Sequence, residues 1–134
     1  RFEEYGQKVE RIVNCGGISV KNPMVMQIYA DVMNRPLQIS RSTQTPALGA
    51  AICGAVVAGS EAGGHDSFDS AMERMTGLLD REFRPEKSNA EVYDRLYRLY
   101  RELHDSFGVR DHNAQLHPIM KELLAIREEV RKQG

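Results

Sequence analysis

The sequence predicts an α/β fold, with a parallel or mixed sheet early in the chain and helices after it. Three observations carry this. Short apolar strands alternate with helical segments between Arg11 and Gly59. A double glycine, Gly16-Gly17, closes the first strand ahead of a helix. Two helices open on polar-proline pairs, Asn22-Pro23 and Thr45-Pro46, where proline's fixed φ suits the first turn and its missing N–H leaves no partner unpaired.

The elements run in order along the chain. Arg11 to Gly17 reads as a short strand, Ile12-Val13-Asn14-Cys15, ended by the two glycines. Asn22 stands as the N-cap of a helix running to about Asn34. Its apolar residues, from Met24 to Met33, nearly encircle it, so burial on most sides is expected. Pro36 to Ser40 is a second strand. Thr45-Pro46 starts a helix of small residues that Gly59 ends. Its thin face predicts close packing on a sheet, with Cys53 as core filling. Two strands cannot cover their own faces, so further strands are expected from an upstream part or a partner. The unpaired edge and apolar surface this leaves predict that the chain self-associates, as a homo-oligomer, or needs its missing half.

After Gly63-Gly64 the pattern becomes helical: Ser67 to about Phe83, broken by Pro85, then Asn89 to Phe107, closed by Gly108, then His117 to Arg131. Residues 1–64 and 65–134 are therefore read as an α/β portion and a helical C-terminal extension.

Composition bounds the function. The 134 residues are 41% hydrophobic and 28% charged, which suits a folded core rather than disorder. The net charge of −1 offers no basic excess for a nucleic-acid backbone. Cys15 and Cys53 lack CxxC spacing and read as free thiols of a reducing cytoplasm. The longest small apolar run, Pro46 to Gly59, is shorter than the roughly 20 residues that span a bilayer, so no membrane partner is expected. The opening residues from Phe2 to Val9 read like the middle or end of a helix, and a preceding portion is expected.

Gly16-Gly17 has two readings: a tight turn needing positive φ, or bare backbone that a flat ligand approaches at the C-terminal end of a strand. Asn22 can cap a helix and also hydrogen-bond a base or ribose beside it. Lys21 reads as solvated, and Gln27 with Asp31 as either a polar face toward a site or an exposed stripe. Tyr93, Tyr97 and Tyr100 lie at helical spacing and read as core or helix-interface residues. His65, His104, His112 and His117 have no metal-ligand spacing and read as surface or capping residues. GxxxxGK[ST], GxGxxG and Asp-x-Gly-Thr are all absent, and no aspartate sits in an obvious catalytic loop. Phosphoryl transfer needs phosphate donors, magnesium ligands and an orienting base, so this chain offers candidates only for the nucleoside end of such a site.

The residues Cys15-Gly16-Gly17, Lys21-Asn22-Pro23, Met26 to Val32, and Gln44 to Ala51 followed by Gly54-Ala55-Val56 together resemble the second half of the C-terminal domain of the FGGY carbohydrate kinases, sugar kinases of the actin-like ATPase superfamily. The branch acting on L-ribulose is the most similar, and the Tyr-x-x-Leu-Tyr pattern of the tail resembles it too. This resemblance implies part of an actin-like ATPase (ribonuclease H-like) domain with a helical C-terminal extension. It implies ATP with magnesium, the magnesium ligands lying outside this chain. It also implies L-ribulose or a related pentulose as the sugar, bound by the missing upstream part. Carried over residue by residue, Gly16, Gly17 and Asn22 face the adenine, and no residue here matches the family's catalytic aspartate. A noncatalytic nucleotide-binding or protein-interaction module built on the same half-domain is the alternative.

Overall fold

Leu37 and Ile39 point to one side of a four-residue strand, each only 1% exposed, and the first unit of the chain is organised around them. The computed structural model describes residues 2–113 and 115–133. The chain divides into two compact units, the first ending at Pro85 and the second beginning at Glu86.

In the first unit, strand β1 (Ile12–Asn14) pairs in parallel with β2 (Leu37–Ser40), with Ile12 opposite Leu37 and Asn14 opposite Ile39. A parallel pair needs a crossover. Two helices supply it, α1 (Gly17–Lys21) and α2 (Pro23–Met33). Helix α2 lays Met26 and Ala30 on Leu37, Ile39 and Phe83, with Ile12 and Val25 at the margin of this core. Helix α3 (Thr45–Ala58) follows β2, and α4 (Phe68–Met75) packs beside it. Strand β3 (Leu78–Phe83) then joins β2 antiparallel, giving a mixed three-stranded sheet in the order β1-β2-β3. The mixed sheet and crossover helices agree with the α/β class read from the sequence.

Several expectations need correction. The helix expected from Ser67 to Phe83 ends at Met75, and 78–83 is a strand. The carbonyl of Met72 accepts both the N–H and the hydroxyl of Thr76, at 3.0 and 2.8 Å, and the chain turns extended there. Gly77 then accepts the N–H of Arg41 through its carbonyl at 2.9 Å, which steers the chain alongside β2. The spacing of Met72, Met75 and Leu79 imitates a helical face, but Gly77 interrupts it and β2 captures the residues beyond. Helix α2 is not buried on most sides: Met24, Tyr29, Val32 and Met33 are exposed, because a three-stranded sheet covers only one of its faces. The small face of α3 is likewise open. Gly49 and Gly54 have no heavy atom near a would-be Cβ, and Cys53 is exposed rather than core. Thr45 is the first residue of α3 and not its cap, a position held by Gln44.

The second unit is a hairpin of two helices, α5 (Lys87–Gly108) and α6 (His117–Gln133), as the sequence spacing predicts. Ala90, Ile119 and Ile126 are its buried residues. Arg95 on α5 donates to Glu122 at 2.7 Å and also to Glu129, both on α6. The hydrogen bonds Arg95 donates to Glu129 and then Glu122 hold its guanidinium protonated well beyond its usual range, and the Arg95 bond keeps the Glu129 carboxyl below its own.

Met26 sits at the centre of the first unit's core, where cavity formation is costly. Met26→Ala is expected to lower stability by about 2–5 kcal/mol, read from urea unfolding, and a loss below about 1 kcal/mol would show that α2 is not seated on the sheet through this residue.

Candidate functional site

The site is built where β1 hands over to α1 and α1 to α2. Beyond β1, the side-chain oxygen of Asn14 accepts the N–H of Cys15 at 2.9 Å, which starts the chain turning. Gly16 has φ 89° and ψ 176°, a region open almost only to glycine. The Ser19 hydroxyl donates to the Gly16 carbonyl at 2.7 Å and fixes this turn, and Ser19 itself is buried. Gly17 is already the first residue of α1, with no positive φ. The double glycine therefore has two jobs. Gly16 supplies the conformation, and Gly17 supplies bare surface, with no heavy atom within 4 Å of a would-be Cβ.

Asn22 is the elbow between the two helices. Its N–H donates to the Ile18 carbonyl at 2.9 Å and ends α1, while its side-chain oxygen accepts the Val25 N–H at 3.2 Å and starts α2. The N-cap and proline start read from the sequence are both present. Gly17, Ile18, Lys21, Asn22, Val25 and Tyr29 line one cleft of about 660 Å3. Of the three residues expected at a site, Gly17 and Asn22 meet in this cleft, and Gly16 stands behind it as the turn.

The walls of the cleft are partly apolar and partly polar. Ile18 and Tyr29 are exposed apolar walls and Val25 is half-buried. The Asn22 oxygen is committed to its cap, so the amide group it presents is the NH2, a donor. Lys21 adds an exposed ammonium at the rim. The sequence reading missed Ile18, Val25 and Tyr29. Their signal is spacing: Asn22, Val25 and Tyr29 stand at i, i+3 and i+7 and so share one helix face.

Gln27 and Asp31 do not point into the cleft. The Gln27 amide donates to Asp31 at 2.8 Å and to the Arg84 carbonyl at 2.7 Å, and Asp31 is 2% exposed. The pair ties α2 to the chain leaving β3 and is neither a ligand face nor an exposed stripe. Each histidine hydrogen-bonds a local partner: His65 with Ser70, His104 with Asp105, His112 with Glu102 and His117 with Lys121. The His104 bond is the largest cause holding the Asp105 carboxyl below its usual range. Among the described residues no group of three or more His, Cys, Asp or Glu side chains is gathered to hold a metal ion. No helix of the described residues is long and apolar enough to cross a membrane.

Known proteins are similar to this chain. Residues 1–58 match the C-terminal domain of the FGGY family of carbohydrate kinases. A ribulokinase of Halalkalibacterium halodurans is 43% identical over 126 residues, covering 94% of this chain and 22% of that protein. Ribulokinases of Geobacillus thermodenitrificans and Staphylococcus aureus are 46% identical over 107 residues and 36% identical over 129, covering 80% and 96% of this chain and 19% and 22% of themselves. Residues 1–58 belong to the FGGY family of carbohydrate kinases. The FGGY C-terminal domain has the actin-like ATPase fold. The FGGY segment ends at the last residue of α3 and contains the whole Gly17–Tyr29 cleft. The chain spans about a fifth of the length of these relatives, 22% of the first.

The different backbones of the two glycines predict different responses. Gly16→Ala is expected to cost about 1–3 kcal/mol, because its φ, ψ pair is strained for any residue with a Cβ. Gly17→Ala is expected to be neutral, or to stabilise by up to about 1 kcal/mol. Thermal unfolding of the two variants checks this, and equal losses at both positions would contradict the assigned turn.

Proposed function

We propose that this chain supplies the adenine-facing wall of the ATP site in a carbohydrate kinase that phosphorylates L-ribulose to L-ribulose 5-phosphate, a step of arabinose catabolism in the cytoplasm. The observation that carries the proposal is the cleft in which Gly17 and Asn22 meet, inside the segment that belongs to the FGGY family. Gly17 lets a planar base approach the backbone, Ile18, Val25 and Tyr29 give it apolar contact, and the Asn22 NH2 donates to an acceptor on its edge. Gly16 holds the turn that exposes Gly17. The three residues then act together as the nucleotide-binding set.

The choice of sugar is supported by these three relatives, each a ribulokinase by name, at 36% to 46% identity. Residues 1–64, with β3 added to the sheet, form the nucleotide-facing portion, and the helical hairpin from Lys87 is the extension. The sugar site, the phosphate donors, the catalytic base and the ligands of the magnesium that accompanies ATP come from the rest of the enzyme. Exposed free thiols at Cys15 and Cys53 suit a reducing compartment.

Asn22→Asp in the longer enzyme separates binding from folding. Aspartate caps a helix as well as asparagine, but it replaces the donated NH2 with a charged acceptor. The expected result is unchanged thermal unfolding, a KM for ATP raised about tenfold or more, equivalent to about 1.4 kcal/mol, and an unchanged KM for L-ribulose. Gly17→Val should act in the same direction by filling the space beside the base. An unchanged KM for ATP in both folded variants would overturn the assignment. The 134-residue chain by itself is expected to show no turnover of ATP and L-ribulose, and phosphorylated sugar in a contaminant-free assay would contradict this division of the site.

A further inference from the structure

We propose that Lys21 is a further nucleotide contact, whose ammonium closes on the base lying against Gly17. This rests on the reading of the cleft as the adenine-facing wall. Gly17 and Lys21 are the first and last residues of α1 and stand at i and i+4, on one helix face. About 6 Å of helix axis separates them. Long side chains on a helix lean toward its N-terminus, so the Lys21 stem runs back toward the bare glycine. It leaves that glycine uncovered, since no heavy atom lies within 4 Å of a would-be Cβ there. Both residues line the same cleft, and the space between them is open to a planar ring.

The ammonium is uncommitted. Lys8, Lys87 and Lys121 each meet a nearby side chain, Glu10, Glu91 and His117. Lys21 is exposed, and among the described residues its side chain has no ion-pair or hydrogen-bond partner. No carboxylate lines the cleft to neutralise it. The sequence reading left Lys21 as a solvated lysine, because its place on the Gly17 face shows only once α1 is known to be a helix.

A lysine serves a base in two ways: it donates to a ring nitrogen, or it sets its positive charge over the ring face. Either is available one turn from Gly17. The Asn22 NH2 beside it is also a donor, so this rim suits the acceptor nitrogens of a base edge. The phosphates of a nucleotide stand beyond the ribose, away from a base on Gly17. The Lys21 contact is therefore made to the nucleoside, and adenosine feels it as much as ATP does.

The test uses the longer enzyme with Lys21→Met, which keeps the stem and removes the charge, and Lys21→Arg, which keeps the charge. ATP kinetics and competitive inhibition by adenosine are measured for each. Lys21→Met is expected to raise the KM for ATP and the inhibition constant for adenosine alike, about fivefold. The KM for L-ribulose and thermal unfolding stay unchanged, and Lys21→Arg keeps most of the wild-type affinity for both ligands. Unchanged inhibition by adenosine in Lys21→Met overturns the proposal. If only ATP is weakened, the lysine serves a phosphate; if neither is, it is solvated. A wild-type enzyme that adenosine does not inhibit overturns it too. Gly17→Val separates this inference from the reading of the cleft. If that variant weakens adenosine and Lys21→Met does not, the cleft stands and the role of Lys21 falls. If neither variant does, both fall.

Discussion

Met26 and Ala30 press α2 onto Leu37 and Ile39, and the position of the cleft residues on α2 follows from that contact. Residues one place along a helix are turned by about 100°. Burying positions 26 and 30 therefore fixes where positions 22, 25 and 29 face. These are the cap, the half-buried valine and the exposed tyrosine of the cleft. Phe83 of β3 completes the floor beneath α2, and Gln27 holds its second turn to the Arg84 carbonyl. The strand that sequence periodicity did not reveal is thus part of what holds the cleft helix in place.

The legible parts of the fold were those written in backbone chemistry. Gly16-Gly17 and Asn22-Pro23 carry local instructions, a positive φ and a capped helix start, that need no distant partner to be read. The hairpin helices were legible because their apolar spacing is regular and long. The parts that were not legible depend on partners far along the chain. Residues 78–83 have a helix-compatible pattern, and only pairing with β2 decides for a strand. The apolar circumference of α2 records how much surface asks for cover, while the sheet within this chain covers only the Met26 side. In α3 the small residues carry no direction at all, so the buried Ile52 could not be told from the exposed Cys53 by pattern.

The cleft was half legible for the same reason. The two glycines and the asparagine stand out by type, and Gly16 and Asn22 each have a backbone reason to be there. Ile18, Val25 and Tyr29 do not stand out, because an apolar residue on an apolar helix announces burial and not contact with a ligand. They become readable once Asn22 is taken as the origin of a helix face rather than as an isolated cap.

In the proposed role, Asn22 is both a cap and a ligand contact. Serine, threonine or aspartate would satisfy the Val25 N–H as an N-cap. Each would do so without presenting a fixed amide donor: the hydroxyls carry one rotatable proton, and ionised aspartate carries none. Asparagine alone caps with its oxygen and keeps an NH2 held in a plane that the cap itself orients. The donor is aimed before any ligand arrives, and the entropy of aiming it is lost during folding rather than during binding. Gly17 contributes on the same principle, since a position without a side chain has nothing to move aside. The cleft therefore owes its preorganisation to helix termini.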